Sequence, residues 1–300
     1  MIVRPPALET VSVEVPEHAL EAYEAALAGV CASVGFFLNE ATRVWRVEGV
    51  KQVGAGEAEL VGALALAEIM TGTAAPLRRT PTEAGGWLAR TQAAFPEQHV
   101  GRRFVIRGTH LKRATPSGRI ALTLDAGVAF GSGEHGSTRG CLRALERIAL
   151  RRPRRILDLG TGSGILAIGA TRLLRRPVLA TDIEPWSVRV AAENAAANGV
   201  ARLVHCHLAD GWRDPVVSGA APFDLVFANI LARPLAAMAK HLATRLAPGG
   251  RAVLAGLLNE QARFVLAAHR RHGLALEFAL REGAWTTLVL RRRGTVPPRQ

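Results

Sequence analysis

The stretch Ile156-Leu157-Asp158-Leu159-Gly160-Thr161-Gly162-Ser163-Gly164, followed by Ile165-Leu166-Ala167-Ile168, decides how this 300-residue chain is read. A short apolar run holding one Asp passes through three alternating glycines and enters helical apolar spacing. That pattern predicts a buried parallel strand, a tight turn and a helix N-terminus. Glycine accepts the positive φ of such a turn and leaves no Cβ between the backbone and a ligand. The free N–H groups and partial positive charge of the helix start suit a carboxylate or a phosphate.

A dinucleotide fingerprint needs G-x-G-x-x-G/A, and its third small position falls here on Ile165. The spacing G-x-G-x-G instead resembles that of S-adenosylmethionine-dependent methyltransferases. Pro177–Asp182 reads as the next strand and ends in an acid able to accept hydrogen bonds from both ribose hydroxyls. Asp182 lies about twenty residues past the glycines, as a strand–helix–strand unit requires. The plain alternative is an ordinary turn with a helix-capping Asp; a cofactor site accounts for both features at once.

Length predicts two domains. With 49% hydrophobic residues and no apolar run near twenty long, a soluble protein without a membrane span is expected. From the opening Met1-Ile2-Val3-Arg4-Pro5-Pro6, which has no charged region followed by an apolar one, no export signal is expected. Cys31, Cys141 and Cys206 are scattered without metal spacing, as reduced cytoplasmic thiols are. The net charge is +13, unevenly spread: residues 1–85 hold six basic and eleven acidic side chains, leaving 32 and 14 for the rest. A basic body this pronounced is either solvated surface or a face for nucleic acid or ribosome. The acidic front domain fits a basic protein partner better than RNA. Arg outnumbers Lys thirty-five to three, a ratio that genomic codon bias also produces.

Thr10–Val15 alternates and meets Pro16, predicting a strand and then a helix through Val30. Thr42–Val50 is a second alternating run, Glu57–Met70 a helix, and Ala75–Leu77 a short closing strand. Together they predict a small β-α-β-β-α-β sandwich without a catalytic cluster. Residues 78–98 read as a linker, and Arg103–Arg107 and Arg119–Asp125 as connecting strands. The glycine-dense loop Ala126–Arg139, ahead of a helix from Cys141, predicts a lid over the cofactor. From 154 onward strands are expected at 155–159, 178–182, 203–207, 223–228 and 251–256, with helices at 164–174, 185–198, 232–245 and 260–271. The runs 274–280 and 285–290 form an antiparallel hairpin.

Ala129-Phe130-Gly131-x-Gly133-x-His135-x-x-Thr138, Asp158–Gly164, Asp182-Ile183-Glu184-Pro185 and Ala228-Asn229-Ile230-Leu231-Ala232 occur in this order. The set closely resembles the PrmA family, methyltransferases of the eleventh large-subunit ribosomal protein, over about Trp87 to Arg292. The resemblance implies an α/β S-adenosylmethionine-dependent methyltransferase fold, a doubly wound, mostly parallel seven-stranded sheet with an antiparallel C-terminal hairpin. A small α+β ferredoxin-like N-terminal domain precedes it. The expected domains are 1–80 for substrate recognition, 81–125 for linker and connecting strands, 126–292 for methyl transfer, and a basic tail at 293–300. In the family the front domain grips the ribosomal protein while the methyltransferase domain swings relative to it.

The family pattern implies that Thr138, Gly160, Asp182 and Asn229 bind S-adenosyl-L-methionine. Gly160 and Gly162 would approach its methionyl part, Asp182 its ribose, and Asp210 its adenine amino group. Asn229 doubles as the catalytic residue, its side-chain oxygen or a nearby carbonyl holding an amine lone pair in line with the sulfonium methyl. No dedicated base is expected, since Glu134 and His135 are the only nearby titratable candidates and loop structure explains His135. Gly136-Ser137-Thr138 stands where many members carry Pro-Thr-Thr, which predicts a more flexible lid. His205-x-His207 reads as strand packing rather than a metal site. The implied activity is transfer of methyl groups to lysine side chains and the N-terminal amine of that ribosomal protein, in the cytoplasm, by a monomer needing no membrane and no direct nucleic acid. The alternatives are a methyltransferase of RNA or small molecules, or a ribosome-associated binding protein without turnover. Against RNA, Asn229-Ile230-Leu231 lacks the Pro-Pro-aromatic that stacks a flipped base.

Overall fold

The computed structural model describes residues 7–39, 42–82, 97–109, 111, 113–124 and 136–293. The chain divides into two compact units, Met1–Ala93 and Ala94–Gln300. No helix among the described residues is long and apolar enough to cross a membrane.

In the first unit β1 (Leu8–Val15), α1 (Leu20–Ala28), β2 (Ser33–Asn39), β3 (Val44–Gln52), α2 (Glu57–Thr71) and β4 (Arg78–Thr82) follow one another. The strands pair antiparallel in the order β2-β3-β1-β4, which is the ferredoxin-like arrangement. Val11, Val13, Trp45 and Val47 of the sheet bury against Leu20, Tyr23 and Leu27 of α1 and Leu60 of α2. Two expectations needed correction. The closing strand is Arg78–Thr82 rather than Ala75–Leu77, and Ser33–Asn39 adds a strand absent from the pattern reading. The Arg-rich β4 is stable because its charges are used. Lys51 lies 2.9 Å from Glu9 and 2.6 Å from Glu57, and Arg79 reaches both acids. Hydrogen bonds from Arg79 and Lys51 hold the Glu57 carboxyl down at about 2.

In the second unit β5 (Gln98–Val100), β6 (Phe104–Gly108) and β7 (Ile120–Leu124) make a small sheet of their own. The larger sheet follows from α3 (Gly136–Ile148), β8 (Ile156–Leu159), α4 (Ile165–Leu174), β9 (Val178–Asp182), α5 (Pro185–Ala197) and β10 (Val204–Leu208). It continues with α6 (Pro215–Ala220), β11 (Phe223–Asn229), α7 (Ala232–Ala237), α8 (Ala239–Arg245), β12 (Leu246–Leu258), α9 (Ala262–Arg270), β13 (Leu274–Glu282) and β14 (Trp285–Arg292). Among the described residues seven strands pair in the order β10-β9-β8-β11-β12-β14-β13. Only β14 runs against the others.

Helices cover both faces, so the inner strands β8, β11, β12 and β14 are buried on both sides, while the edge strands β10 and β13 are partly exposed. Phe104, Leu122, Leu142, Leu145, Ile168 and Phe227 belong to one core, and Leu157, Trp212, Phe223, Leu235, Leu242 and Leu254 to the other. The strand order reverses at β8, whose neighbours are β9 and β11, and open α/β sheets bind ligands at the carboxyl ends beside such a switch.

The strands β5–β7, expected only as connectors, are built into the first of these cores. Buried Asn198, just after α5, fixes them: its Nδ2 donates to Thr123 O at 2.6 Å and its Oδ1 accepts from Thr123 N at 2.9 Å. Asn198→Ala removes both bonds and leaves two backbone groups short of partners. A loss of about 2–4 kcal/mol in urea unfolding is expected; an unchanged midpoint would show that the clamp is redundant.

Candidate functional site

The glycine turn forms as its residue types demand. Gly160, Gly162 and Gly164 have φ of 71°, 52° and 80°, a region only glycine enters without strain. Gly160 N and Thr161 N both donate to Thr181 O, at 2.8 and 2.9 Å, which ties the turn to the end of β9. Gly162 N donates to Asp182 Oδ2 at 2.9 Å, and Glu184 N donates to Asp182 Oδ1 at 3.1 Å. Each carboxylate oxygen keeps acceptor capacity, and the side chain is only half-buried. Gly160, Gly162 and Asp182, separate in the sequence reading, therefore share one rim.

Leu208 pairs with Asp182, placing Asp210 just past the next strand end. There Asp210 is exposed and already meets Arg213 at 3.2 Å. Ile183 and Leu208, 62% and 49% exposed, are large apolar side chains beside this acidic rim. The sequence reading named neither in a role, although an apolar residue directly after a strand-ending acid was the available signal.

On the other side of β8, Asn229 ends β11 and its Nδ2 donates to Thr138 Oγ1 at 3.3 Å. Thr138 is fully buried, and Asn229 Oδ1 is buried with no hydrogen-bond partner among the described residues. Two supports hold this pair. Ile230 packs so closely on Gly256, at φ 80°, that a Cβ there would lie 2.3 Å from Ile230 O. The start of α3 abuts the β13–β14 turn: a Cβ on Gly136 would lie 2.7 Å from Glu282 O, and one on Gly140 2.1 Å from Thr287 Oγ1. Arg143 pairs with the Glu282 carboxylate, and Arg139 lies 3.8 Å from it. Gly136 thus serves a close approach that any side chain, a proline ring included, would obstruct. Of the expected lid loop Ala126–Arg139, residues 126–135 with Glu134 lie outside the described residues, while Gly136–Arg139 with Thr138 form the first turn of α3 and not loop.

Asp158 sits beneath the turn, fully buried. Its Oδ2 accepts from Thr161 Oγ1 at 2.7 Å and from Ala167 N at 3.1 Å, while its Oδ1 has no partner among the described residues. Burial pushes this carboxyl up from 3.8 to about 7, against the pull of those two bonds. Of the two strand histidines, His207 meets Asp214 at 3.3 Å and His205 is exposed, so packing describes only His207. No group of three His, Cys, Asp or Glu that could hold a metal occurs among the described residues.

A family model described as ribosomal protein L11 methyltransferase (PrmA) matches residues 12–293. The chain is 46% identical over 218 residues to the ribosomal protein L11 methyltransferase of Rhizobium meliloti (strain 1021), covering 72% of this chain and 75% of that one. It is 45% identical over 206 residues to that of Rhodopseudomonas palustris (strain BisB5), covering 68% and 69%. Among solved structures it resembles a ribosomal protein L11 methylase from Lactobacillus delbrueckii subsp. bulgaricus, with TM-score 0.60 and 30% identity over 66% of this chain and 98% of that one.

The state of Asp158 sets a pH dependence. The folded chain keeps this proton up to about 7, whereas the unfolded chain releases it near 3.8. The native state therefore binds more protons between those values, and stability falls as pH rises through them. Asp158→Asn removes that slope, an effect on the order of 4 kcal/mol at most. Urea midpoints of both proteins at acidic and neutral pH check it; parallel profiles would contradict the assignment.

Proposed function

The chain belongs to the ribosomal protein L11 methyltransferase (PrmA) family, and from that membership we propose that it methylates lysine side chains and the N-terminal amine of that ribosomal protein. The site's residues fit S-adenosylmethionine on their own terms. Asp182 has free acceptor capacity on both oxygens, the positive-φ glycines put no Cβ in a ligand's way, and Asn229 Oδ1 is a buried acceptor without a partner among the described residues. When bound, this cofactor supplies a methyl group already activated on a sulfonium sulfur.

We assign the ribose hydroxyls to Asp182, the methionyl part to the backbone at Gly160 and Gly162 with the Thr138 hydroxyl above, and the adenine to the apolar pair Ile183 and Leu208. Asp210 accepts from the adenine amino group, in exchange with Arg213. The observation that carries the catalytic reading is the Asn229 side chain, which ends a strand at the switch point and whose buried Oδ1 has no hydrogen-bond partner among the described residues. Accepting an N–H from the incoming amine, it would turn the nitrogen lone pair toward the methyl group.

A lysine side chain has an ordinary pKa of about 10.4 and must arrive neutral. Desolvation beside a cation lowers it, so the chain needs to orient the amine more than to deprotonate it. Orientation of this kind supplies on the order of 7–11 kcal/mol at best. The first unit is assigned to gripping the protein substrate, since residues 1–85 carry eleven acidic against six basic side chains and the partner is to be basic.

Incubation with methyl-labelled S-adenosylmethionine and either purified ribosomal protein L11 or RNA tests the activity. Label is expected in the protein, on lysine and the N-terminus by peptide mapping; label in RNA alone, or nowhere, overturns it. The residue roles separate in a second measurement. Asp182→Ala should weaken cofactor binding by about tenfold to a hundredfold in calorimetry. Asn229→Ala should lower kcat about a hundredfold with a smaller effect on cofactor affinity. Equal effects of both variants on affinity and kcat would remove the division of labour.

A further inference from the structure

The end of the large sheet away from the site carries a row of exposed arginines. Val204, Val178, Ile156, Leu225, Arg251 and Arg291 lie side by side across β10, β9, β8, β11, β12 and β14. Just outside that row stand Arg202, the pair Arg175–Arg176 and the pair Arg154–Arg155, all exposed, with Arg291 exposed in the row itself. The seven-stranded edge is roughly 29 Å long. Among the described residues, none of these six arginines makes an ion pair.

The acids that share this edge are already engaged. Asp224 Oδ2 accepts the backbone N–H groups of Arg154 and Arg155, each at 2.9 Å, and Glu277 holds Arg251 through two bonds of 2.7 and 3.0 Å. Asp158, Asp182, Asp210 and Glu282 all lie toward the opposite, carboxyl end. A genomic preference for Arg over Lys chooses which cation is used; it does not by itself line one edge with six arginines whose side chains meet no acid among the described residues, whereas Arg139, Arg143 and Arg213 at the carboxyl end each lie against one. Helix C-termini also face this edge and favour a cation near their carbonyls. That effect falls off within a turn and explains Arg175 after α4, but neither the Arg154–Arg155 pair nor Arg291 on a strand.

We propose that this amino edge binds the phosphate backbone of RNA and holds the enzyme beside its ribosomal protein substrate. Guanidinium groups match phosphate in paired hydrogen bonds, and a linear array of them suits an extended polyanion. The row is about 13 Å from the glycine turn along β8, so a strand of RNA lying on it leaves the cofactor rim open. Transfer to the free protein does not require it. The proposal rests on the proposed function only for the reason why RNA would be near.

The test is fluorescence anisotropy with a labelled RNA hairpin over a range of salt concentrations. One variant replaces Arg154, Arg155, Arg175 and Arg176 by Gln; a control of equal charge replaces Arg46, Arg78, Arg263 and Arg281. The edge variant should bind at least about tenfold more weakly, and its slope of log affinity against log salt should be shallower by about 3, as four lost phosphate contacts imply. The control should change far less. Equal losses in both variants, no RNA binding by the natural protein, or displacement of the RNA by phosphatidylglycerol vesicles would each overturn the proposal. Methylation of isolated L11 by both variants, measured alongside, separates the two readings: its absence in the natural protein refutes the activity and leaves the RNA result standing.

Discussion

The hydrogen bond from Gly162 N to Asp182 Oδ2 is the contact on which the site depends. It joins the glycine turn after β8 to the acid ending β9, so the distance between the two is set by one 2.9 Å contact and not by loop flexibility. Two further bonds, from Gly160 N and Thr161 N to Thr181 O, repeat the tie one residue earlier. Backbone donors therefore point at a carboxylate before any ligand arrives. A site built this way loses little entropy on binding, because ordering was completed during folding.

The other half of the site is held by packing. Asn229 and Thr138 are 91 residues apart, and each is fixed from behind by a glycine that lets two backbones touch. Gly256 receives Ile230, and Gly136 receives Glu282 O. These are short-range repulsive constraints, which fall off far more steeply than an electrostatic contact does. They explain why a departure from the usual proline at 136 is coherent in this chain: the β13–β14 turn lies where the ring would be.

Much of this was legible in the sequence, for identifiable reasons. The parallel strands read as apolar runs because both faces are covered, and the three glycines announced their positive φ by spacing. Ser33–Asn39 was illegible because Gly35 and the adjacent Phe36-Phe37 break the two-residue alternation on which strand reading relies. Arg78–Thr82 looks like linker until Glu9 and Glu57 are seen to neutralise Arg79. The helix expected over 232–245 is two, parted at Met238, and β12 begins at Leu246 because Pro248-Gly249-Gly250 is absorbed as a register irregularity against β11. No local pattern pairs Thr138 with Asn229 or Asn198 with Thr123, since sequence periodicity carries no information about partners so far apart.

The placement of β14 between β12 and β13 has a consequence for how the molecule is made. Every other strand of the large sheet precedes β14 in the sequence, yet the thirteen-residue β12 has β14 as its neighbour on one side. During synthesis that flank stays an open edge, with unpaired N–H and C=O groups, until Trp285–Arg292 has emerged, and an open edge invites pairing with other chains. The same segment supplies Thr287, against which α3 and hence Thr138 are seated. Closing the β12 edge and seating the start of α3 therefore both depend on the same late-emerging strand.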